Sequence, residues 1–457
     1  MIVSLLILFN YFIGIYYLVI NMIYASLIIL SLYVSLTYII KIRASKYPQY
    51  VSSRKFLPVS IIIPVYNEEE YIIDTVSSTL NLKYPEYEII VVNDGSTDNS
   101  LSLLIDEFKL KKVDIFYRKF IDTQDVKAFY FSEKFPNLIV VDKVQGGKAD
   151  ALNCGINVSK YPYFCSLDAD SILEKEALLR IMYNIALSPV PVVATSGIVR
   201  ILNDVIIDKN YNIIARTSKN ILVNFQIVEY LNGFLFGRVG LNFLGINLIL
   251  SGAFSMFKKD FVIMVGGYSK KNIAEDMEIV VKLHKFCLEQ NIPYKITMID
   301  DTVCWTMVPE RFGDFYKQRK RWHIGLMQTL FSYKSLLFNP NYRSIGLLGM
   351  PYYFLFEFLG PILEFLSYIV VPVSYLLGIL STKFFVVFLL LAIVFGMLVS
   401  VSGILLEEFT YKRYPRWKDL IKLIIFALFY NLGYRQLNSF IKFASSILFF
   451  ISKKRNW

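Results

Sequence analysis

The first forty residues contain no Asp, Glu, Lys or Arg. A run of that length without charge suits lipid and not water, because each charge at bilayer depth is costly. A second uncharged run covers residues 384–406, and residues 346–382 carry only Glu357 and Glu364. Between these ends, from about 56 to 335, charged residues recur at the density of an ordinary soluble domain. The composition agrees: 55% of residues are hydrophobic and 19% charged, against roughly 25% charged in soluble proteins. The expected organisation is therefore an N-terminal transmembrane region at 1–42, a globular domain at 56–335, and C-terminal transmembrane and interfacial helices at 346–452.

As one helix, residues 1–42 would reach about 63 Å, roughly twice the hydrocarbon thickness. Two spans, 2–20 and 22–42 with a turn near Asn21, are expected. A cleaved leader fits poorly, since no basic segment precedes the apolar run. Pro351, Pro361 and Pro372 predict bends in 346–380, read as one kinked or two short spans, whereas 384–406 reads as a clean span. The last block, 419–452, is broken by Asn431, Arg435, Gln436 and Lys442, and is open between a span, a re-entrant pair and an interfacial helix. Glu357 and Glu364, seven apart, share a helix face and point to a water-filled path or to pairing with Arg.

The net charge of +11 would admit nucleic acid, but its placement favours topology. Lys41, Arg43, Lys46, Arg54 and Lys55 follow the first apolar block, Lys412, Arg413, Arg416 and Lys418 follow a later one, and Lys453, Lys454 and Arg455 close the chain. Basic clusters at span ends mark the cytoplasmic side. The expectation is a multi-pass protein of the cell membrane with its globular domain in the cytoplasm and membrane lipid, not nucleic acid, as a partner. Cys154, Cys165, Cys287 and Cys304 show no paired spacing and read as free buried thiols. With only two histidines, any metal must be held by carboxylates.

Short β-branched runs at Ser60–Pro64, Glu88–Val92, Leu138–Val141 and Tyr163–Leu167 alternate with helical patterns at about 67–80, 97–109, 148–159 and 173–187. That alternation predicts an α/β domain with a mainly parallel, Rossmann-like sheet, whose ligands sit at the carboxyl ends of the strands. Polar residues fall at those places: Asn67 and Glu68 after the first strand, Asn93-Asp94-Gly95-Ser96 after the second, and Asp168-Ala169-Asp170 after the fourth.

Each motif has a plain alternative. In Asp168-Ala169-Asp170 one carboxylate can accept from a ribose hydroxyl while the other holds Mg²⁺ or Mn²⁺; alone, a DxD is weak, and its place after a strand strengthens it. Asn93–Asp98 is fully explained from Gly95 onward as a turn and helix cap, which leaves Asp94 open for a nucleotide base. Gly146-Gly147-Lys148 opens a helix and is either a glycine turn with a solvated lysine or a phosphate site, the helix start being unfavourable for an unpaired cation. Glu275-Asp276 precedes a helical pattern at about 277–290, and Asp276 is either a cap or a general base for an acceptor hydroxyl. Gln318-Arg319-Lys320-Arg321-Trp322 offers a diphosphate grip and an aromatic face, or a basic helix lying on anionic lipid, the latter chiefly through Arg319 and Lys320.

Taken together and in order, Pro64–Glu68, Asn93–Ser96, Gly147–Asn153, the DxD, Ser251–Phe254, Glu275-Asp276 and the QxxRW ending at Trp322 resemble the processive, membrane-integrated family 2 glycosyltransferases that make cellulose, chitin, hyaluronan and poly-N-acetylglucosamine. The resemblance runs from about Val59 to Trp322. It implies a GT-A-type domain held between membrane helices, with Tyr66, Glu68 and Asp94 at the uridine, Lys148 at the diphosphate and Asp168 on the donor. It further implies Asp170 at Mg²⁺ or Mn²⁺, Asp276 as catalytic base, and Gln318, Arg321 and Trp322 on the diphosphate and the acceptor's terminal sugar. Residues Thr302–Lys317, with Trp305, match a mobile loop that closes over donor in that family. The chain departs from the family in reading Ala-Glu-Asp for the usual Thr-Glu-Asp, and no cyclic-dinucleotide-binding domain is expected.

The implied activity is inverting transfer from a UDP-sugar to a growing β-linked polysaccharide, with coupling to export. Two alternatives stand beside it: a transferase that adds one or a few sugars to a lipid-linked acceptor, and a membrane scaffold that retains an inactive transferase fold.

Overall fold

The computed structural model describes residues 2–44, 56–209 and 211–451. The basic positions Lys46, Arg54, Lys55, Lys453, Lys454 and Arg455 lie outside the described residues. The chain separates into two compact units, one of Ile40–Ile213 with Asn247–Met307, the other of Met1–Ile39, Ile214–Ile246 and Val308–Trp457. The globular unit is thus smaller than the expected 56–335, because segments 214–246 and 308–335 pack with the apolar helices.

The globular unit is built on a ten-stranded sheet. Its strands are β1 (Val59–Val65), β2 (Tyr87–Asn93), β3 (Leu110–Val113), β4 (Val126–Ser132), β5 (Leu138–Lys143), β6 (Tyr163–Leu167), β7 (Ser171–Leu173), β8 (Val192–Ile201), β11 (Phe254–Lys258) and β12 (Lys295–Thr306), while β9 (Ile206–Ile207) and β10 (Ile213–Ile214) stand outside it. The spatial order is β3-β4-β5-β2-β1-β6-β11-β8-β12-β7. The four strands expected from sequence form its parallel centre, β5-β2-β1-β6. Beyond them the sheet is mixed and not mainly parallel: β4 runs antiparallel to β5, and β11 to both β6 and β8. Of these, β4 mixes buried and part-exposed residues and β11 is only five residues long, whereas β8 is buried throughout but is interrupted by Thr195, Ser196, Gly197 and Arg200, so none shows the continuous apolar run of the central strands.

Residues Ile62, Ile90, Val92, Val141, Leu152 and Phe164 share one core between the parallel strands and the helix Lys148–Val158. That helix lies so close that a β-carbon on Gly155 would come within 2.3 Å of Ile62. Close approach fixes where the helix begins, and its first residue is Lys148. All four cysteines are buried and free.

Among the described residues, three helical stretches are long and apolar enough to cross a membrane: Val3–Tyr38, Ile345–Leu376 and Thr382–Thr410, all in the helical unit. The expected turn at Asn21 is absent, since Ile2–Ala44 is one unbroken helix. No glycine or proline follows Gly14 within it, and the Asn21 amide donates to the Leu391 carbonyl at 2.9 Å, so the polar side chain is satisfied without a break. Residues 345–376 form one continuous helical stretch with wider π turns at Ile345–Gly349 and Tyr353–Phe358. The last block is two helices, Trp417–Phe429 and Arg435–Ile451, parted where Leu432 and Gly433 (φ 147°) leave helical geometry.

Candidate active site

Strand ends and the loops after them gather the acidic and basic groups of the globular unit. Asn67 follows β1 in left-handed conformation (φ 57°), and its Oδ1 accepts from the backbone N–H of Thr97 at 2.8 Å. Asp98 in turn accepts from the N–H groups of Glu69 and Ser100. These bonds tie the loops after β1 and β2 together, so the turn and cap role of Asp98 is present. Tyr66 is exposed at the end of β1. Beside it the Glu68 carboxyl is pushed up to about 7 by burial and then by Asp170 and Asp168.

Asp94 is buried, and both of its oxygens are engaged. Oδ1 accepts from Lys143 Nζ at 2.5 Å and Gly146 N at 2.9 Å, and Oδ2 from Gly147 N at 2.7 Å. A nucleobase contact by Asp94 would have to share these acceptors. What Asp94 does directly is shape the Gly146-Gly147 loop. Gly147 holds φ +89° with open space where a β-carbon would stand, which leaves backbone and Lys148 accessible to a ligand.

Lys148 begins its helix where the helix dipole disfavours a cation. Its ammonium lies 2.5 Å from Asp168 Oδ1 and 3.6 Å from Glu275 Oε1. Burial alone would depress its pKa, yet Asp168, Glu275 and Asp276 hold it well above the usual lysine value. The unfavourable terminus is thus offset by carboxylates from two other segments.

Asp170 Oδ1 accepts from the hydroxyls of Ser171 at 3.1 Å and Thr306 at 3.3 Å. Burial, then the neighbouring Asp168, pushes its carboxyl up to about 6. Between the ordinary aspartate value, about 4, and that raised value, the folded state holds a proton that the unfolded state has released. Stability therefore falls as pH rises through this window. With Asp170 partly exposed, the penalty at neutral pH is on the order of 1–2 kcal/mol. Asp170→Asn, without metal or nucleotide, is expected to raise the thermal midpoint at pH 7.5 by about 2–5 °C and by about a third of that at pH 4.5, which lies at the lower end of the window. Thermal scans at both pH values check this, and an equal shift at both would refute it.

Asp276 is not a helix cap in the strict sense, because the helix Glu275–Glu289 already includes it. Its Oδ1 accepts from Met277 N at 2.9 Å. A β-carbon on Gly252 would lie 3.1 Å from Asp276 Oδ2 and 3.7 Å from Lys148 Nζ. The Ser251–Phe254 segment, Asp276 and Lys148 therefore border one space, and glycine keeps it clear.

One expectation needs correction. Trp305 is not on a mobile loop: Thr302–Thr306 belongs to β12, and the indole is fully buried, donating to Glu174 Oε1 at 2.9 Å. Only Met307–Arg311 lies between that strand and the helix Phe312–Ser332. The strand register decided this, because β12 pairs with β8 and β7 on its two sides.

Gln318, Arg321 and Trp322 lie on the Phe312–Ser332 helix of the other unit. Arg321 and Trp322 are exposed. Arg319, read as a surface cation, is buried instead. It meets Glu229 Oε2 at 2.6 Å, donates to Gln318 Oε1 at 3.0 Å, and places its guanidinium carbon 4.2 Å from the Trp322 ring centroid. Its spacing of four from Phe315 and His323, both buried, is the signal that could have found it. Lys143 was also missed, although a lysine ending an apolar strand is a comparable signal.

Residues 60–263 match the model of glycosyl transferase family 2, and residues 163–399, just over half of the chain, match glycosyl transferase family group 2. The chain belongs to the family 2 glycosyltransferases. As a family 2 member it is similar to the poly-β-1,6-N-acetyl-D-glucosamine synthase of Staphylococcus epidermidis RP62A, at 32% identity over 272 residues, 60% of this chain and 55% of that protein. The enzyme of the same description from Staphylococcus aureus COL is 32% identical over 280 residues, 60% of this chain and 57% of that one. The matched stretch thus spans little more than half the length of these relatives. A mannosyltransferase from Pyrobaculum calidifontis, solved with GDP-Man and Mn²⁺, shares the fold with a TM-score of 0.51 at 18% identity, over 90% of this chain and 99% of that one.

Proposed function

We propose that this family 2 glycosyltransferase transfers sugar from a UDP-sugar to a growing β-linked polysaccharide at the cytoplasmic face of the membrane, with inversion at the anomeric carbon. The observation that carries this reading is the cluster of Lys148, Asp168, Asp170, Glu275 and Asp276 around the space that Gly252 keeps clear. The acceptor hydroxyl oxygen attacks the anomeric carbon from the side opposite the diphosphate. The bond to the diphosphate oxygen breaks with its electron pair, and Asp276 takes the hydroxyl proton. An α-linked donor yields a β-linked product. Lys148 exchanges its contact with Asp168 for the incoming phosphate charge, a preorganised stabilisation of the leaving group. Tyr66, Glu68 and Asp94 border the uridine in this reading. Gln318, Arg321 and Trp322 keep the diphosphate and acceptor roles that their motif implies.

Asp170 and Asp168 suit Mg²⁺ or Mn²⁺. They are hard oxygen donors, and Asp170 is raised by burial first and then by the like charge of Asp168, both of which a bound cation would offset. Among the described residues no group of three metal-ligating side chains is found, so a cation held by Asp168 and Asp170 would need oxygens from water or the substrate's phosphates as well. Such a cation would supply charge neutralisation to the leaving diphosphate.

The name of the staphylococcal relatives supports a polysaccharide product. So does a cavity of about 170 Å³ inside the helical unit, with Phe236, Phe356 and Tyr430 beside Glu229, Glu364 and Arg435 in its mixed polar and aromatic wall. A hydroxyl-rich chain hydrogen-bonds to such walls, whereas a lipid-linked acceptor has no need of them. Glu364 there pairs with Arg435 at 2.5 Å. The test is to incubate purified protein with Mg²⁺ or Mn²⁺ and each common UDP-sugar in turn, measuring UDP release and product size. Long polymer supports the proposal, a solvent-extractable glycolipid supports the alternative, and absence of UDP release from every donor overturns both.

A further inference from the structure

Sharing only Asp94 with the residues assigned to donor and acceptor, the globular unit holds a four-membered ion network of Asp94, Lys143, Asp150 and Lys270, the first three of them buried. Asp150, in the first turn of the Lys148–Val158 helix, is fully buried. Its Oδ2 meets Lys143 Nζ at 2.7 Å and its Oδ1 meets Lys270 Nζ at 2.5 Å. Lys143 is itself fully buried and reaches on to Asp94 at 2.5 Å. The backbone N–H of Gln124 donates to the Asp150 carboxylate as well. Two anions and two cations balance, and every oxygen of Asp94 and Asp150 has a donor.

Such a network is costly to bury and is retained where it specifies geometry. Here it joins two segments that the chemistry must keep aligned. Through Lys143 and Asp94 it reaches the N–H groups of Gly146 and Gly147, immediately before Lys148. Through Lys270 it reaches the segment that leads, six residues later, to Asp276. A second tether runs alongside: Asn153, on the same helix, donates to the Tyr268 carbonyl at 2.9 Å and accepts from Tyr268 N at 2.8 Å. One helix thus begins with Lys148 and grips the approach to Asp276 at two points.

We propose that Asp150 and Lys270 are positioning residues, which hold the Asp276 segment in register with the Lys148 loop. The inference rests on the transferase reading of those two residues. Lys270 is the informative member, because it is partly exposed, and its removal leaves Asp150 still paired with Lys143. Lys270→Met is expected to lower kcat about tenfold to a hundredfold, the cost of misplacing a reacting group by about an ångström. Donor KM and UDP affinity stay within about twofold, since the loop beside Lys148 keeps its own bonds. Lys270→Arg restores kcat.

Hydrogen exchange on the full-length protein reads the tether independently. Amides from Ser269 to Met277 exchange faster in Lys270→Met, and those from Gly146 to Asn153 do not. Unchanged kcat together with unchanged exchange overturns the proposal, as does loss in donor KM alone. If the wild-type protein releases no UDP, the transferase reading fails by itself, and the exchange measurement still decides whether the tether exists.

Discussion

Asp276→Asn is expected to bind UDP as the wild-type chain does and to lose transfer by about 10²–10⁴-fold, the usual contribution of a general base. The two side chains have the same shape, and an amide oxygen can still accept the Met277 N–H that Asp276 Oδ1 now accepts. What disappears is the capacity to take the acceptor's proton. The substitution also removes one of three carboxylates acting on Lys148, while Asp168 and Glu275 remain in place. Nucleotide affinity should therefore change little. UDP binding by calorimetry and UDP release with donor and acceptor test the two halves separately. Normal turnover would remove Asp276 from the mechanism, and loss of binding would show a structural role instead.

Lys143→Met is expected to be the most destabilising single change in the globular unit, by about 3–5 kcal/mol. Among the described residues, Lys143 alone pairs with both Asp94 and Asp150, and none of the three side chains is more than 4% exposed. Removing the cation strands carboxylate charge where water does not reach. Methionine preserves volume, so the loss reports charge and not a cavity. Lys270→Met, at the partly exposed end of the same network, should cost less than about 1 kcal/mol, as surface ion pairs do. Thermal midpoints in one detergent compare the two, and equal losses would mean that burial of the pair is not the deciding factor.

Several features were legible along the chain because their causes are local. Continuous apolar runs located β1, β2, β5 and β6, and polar or glycine residues after each run located the loops, among them those that carry Lys148, Asp168 and Asp170. The family motifs lie in those loops, so the candidate site could be placed on strand ends before any coordinates. The absence of charge likewise located three apolar helical stretches.

What resisted reading depends on partners far away in sequence. Asn21 looks like a turn until the Leu391 carbonyl, 370 residues on, satisfies it within an unbroken helix. Trp305 reads as a loop aromatic until β8 and β7 claim its strand. Arg319 looks like a surface cation until Glu229 and Tyr434 enclose it.

Composition and residue order alone determined that this chain has a nucleotide-binding type of α/β sheet beside helices fit for lipid, because hydrophobic periodicity and charge depletion act over a few neighbouring residues. Only tertiary structure decided which charges are enclosed inside the protein and which border open space. Asp94 and Asp150 are occupied by Lys143 and Lys270, whereas Lys148 is held by carboxylates bordering open space. An ion pair forms between groups that folding brings together, and its strength depends on the water that folding excludes.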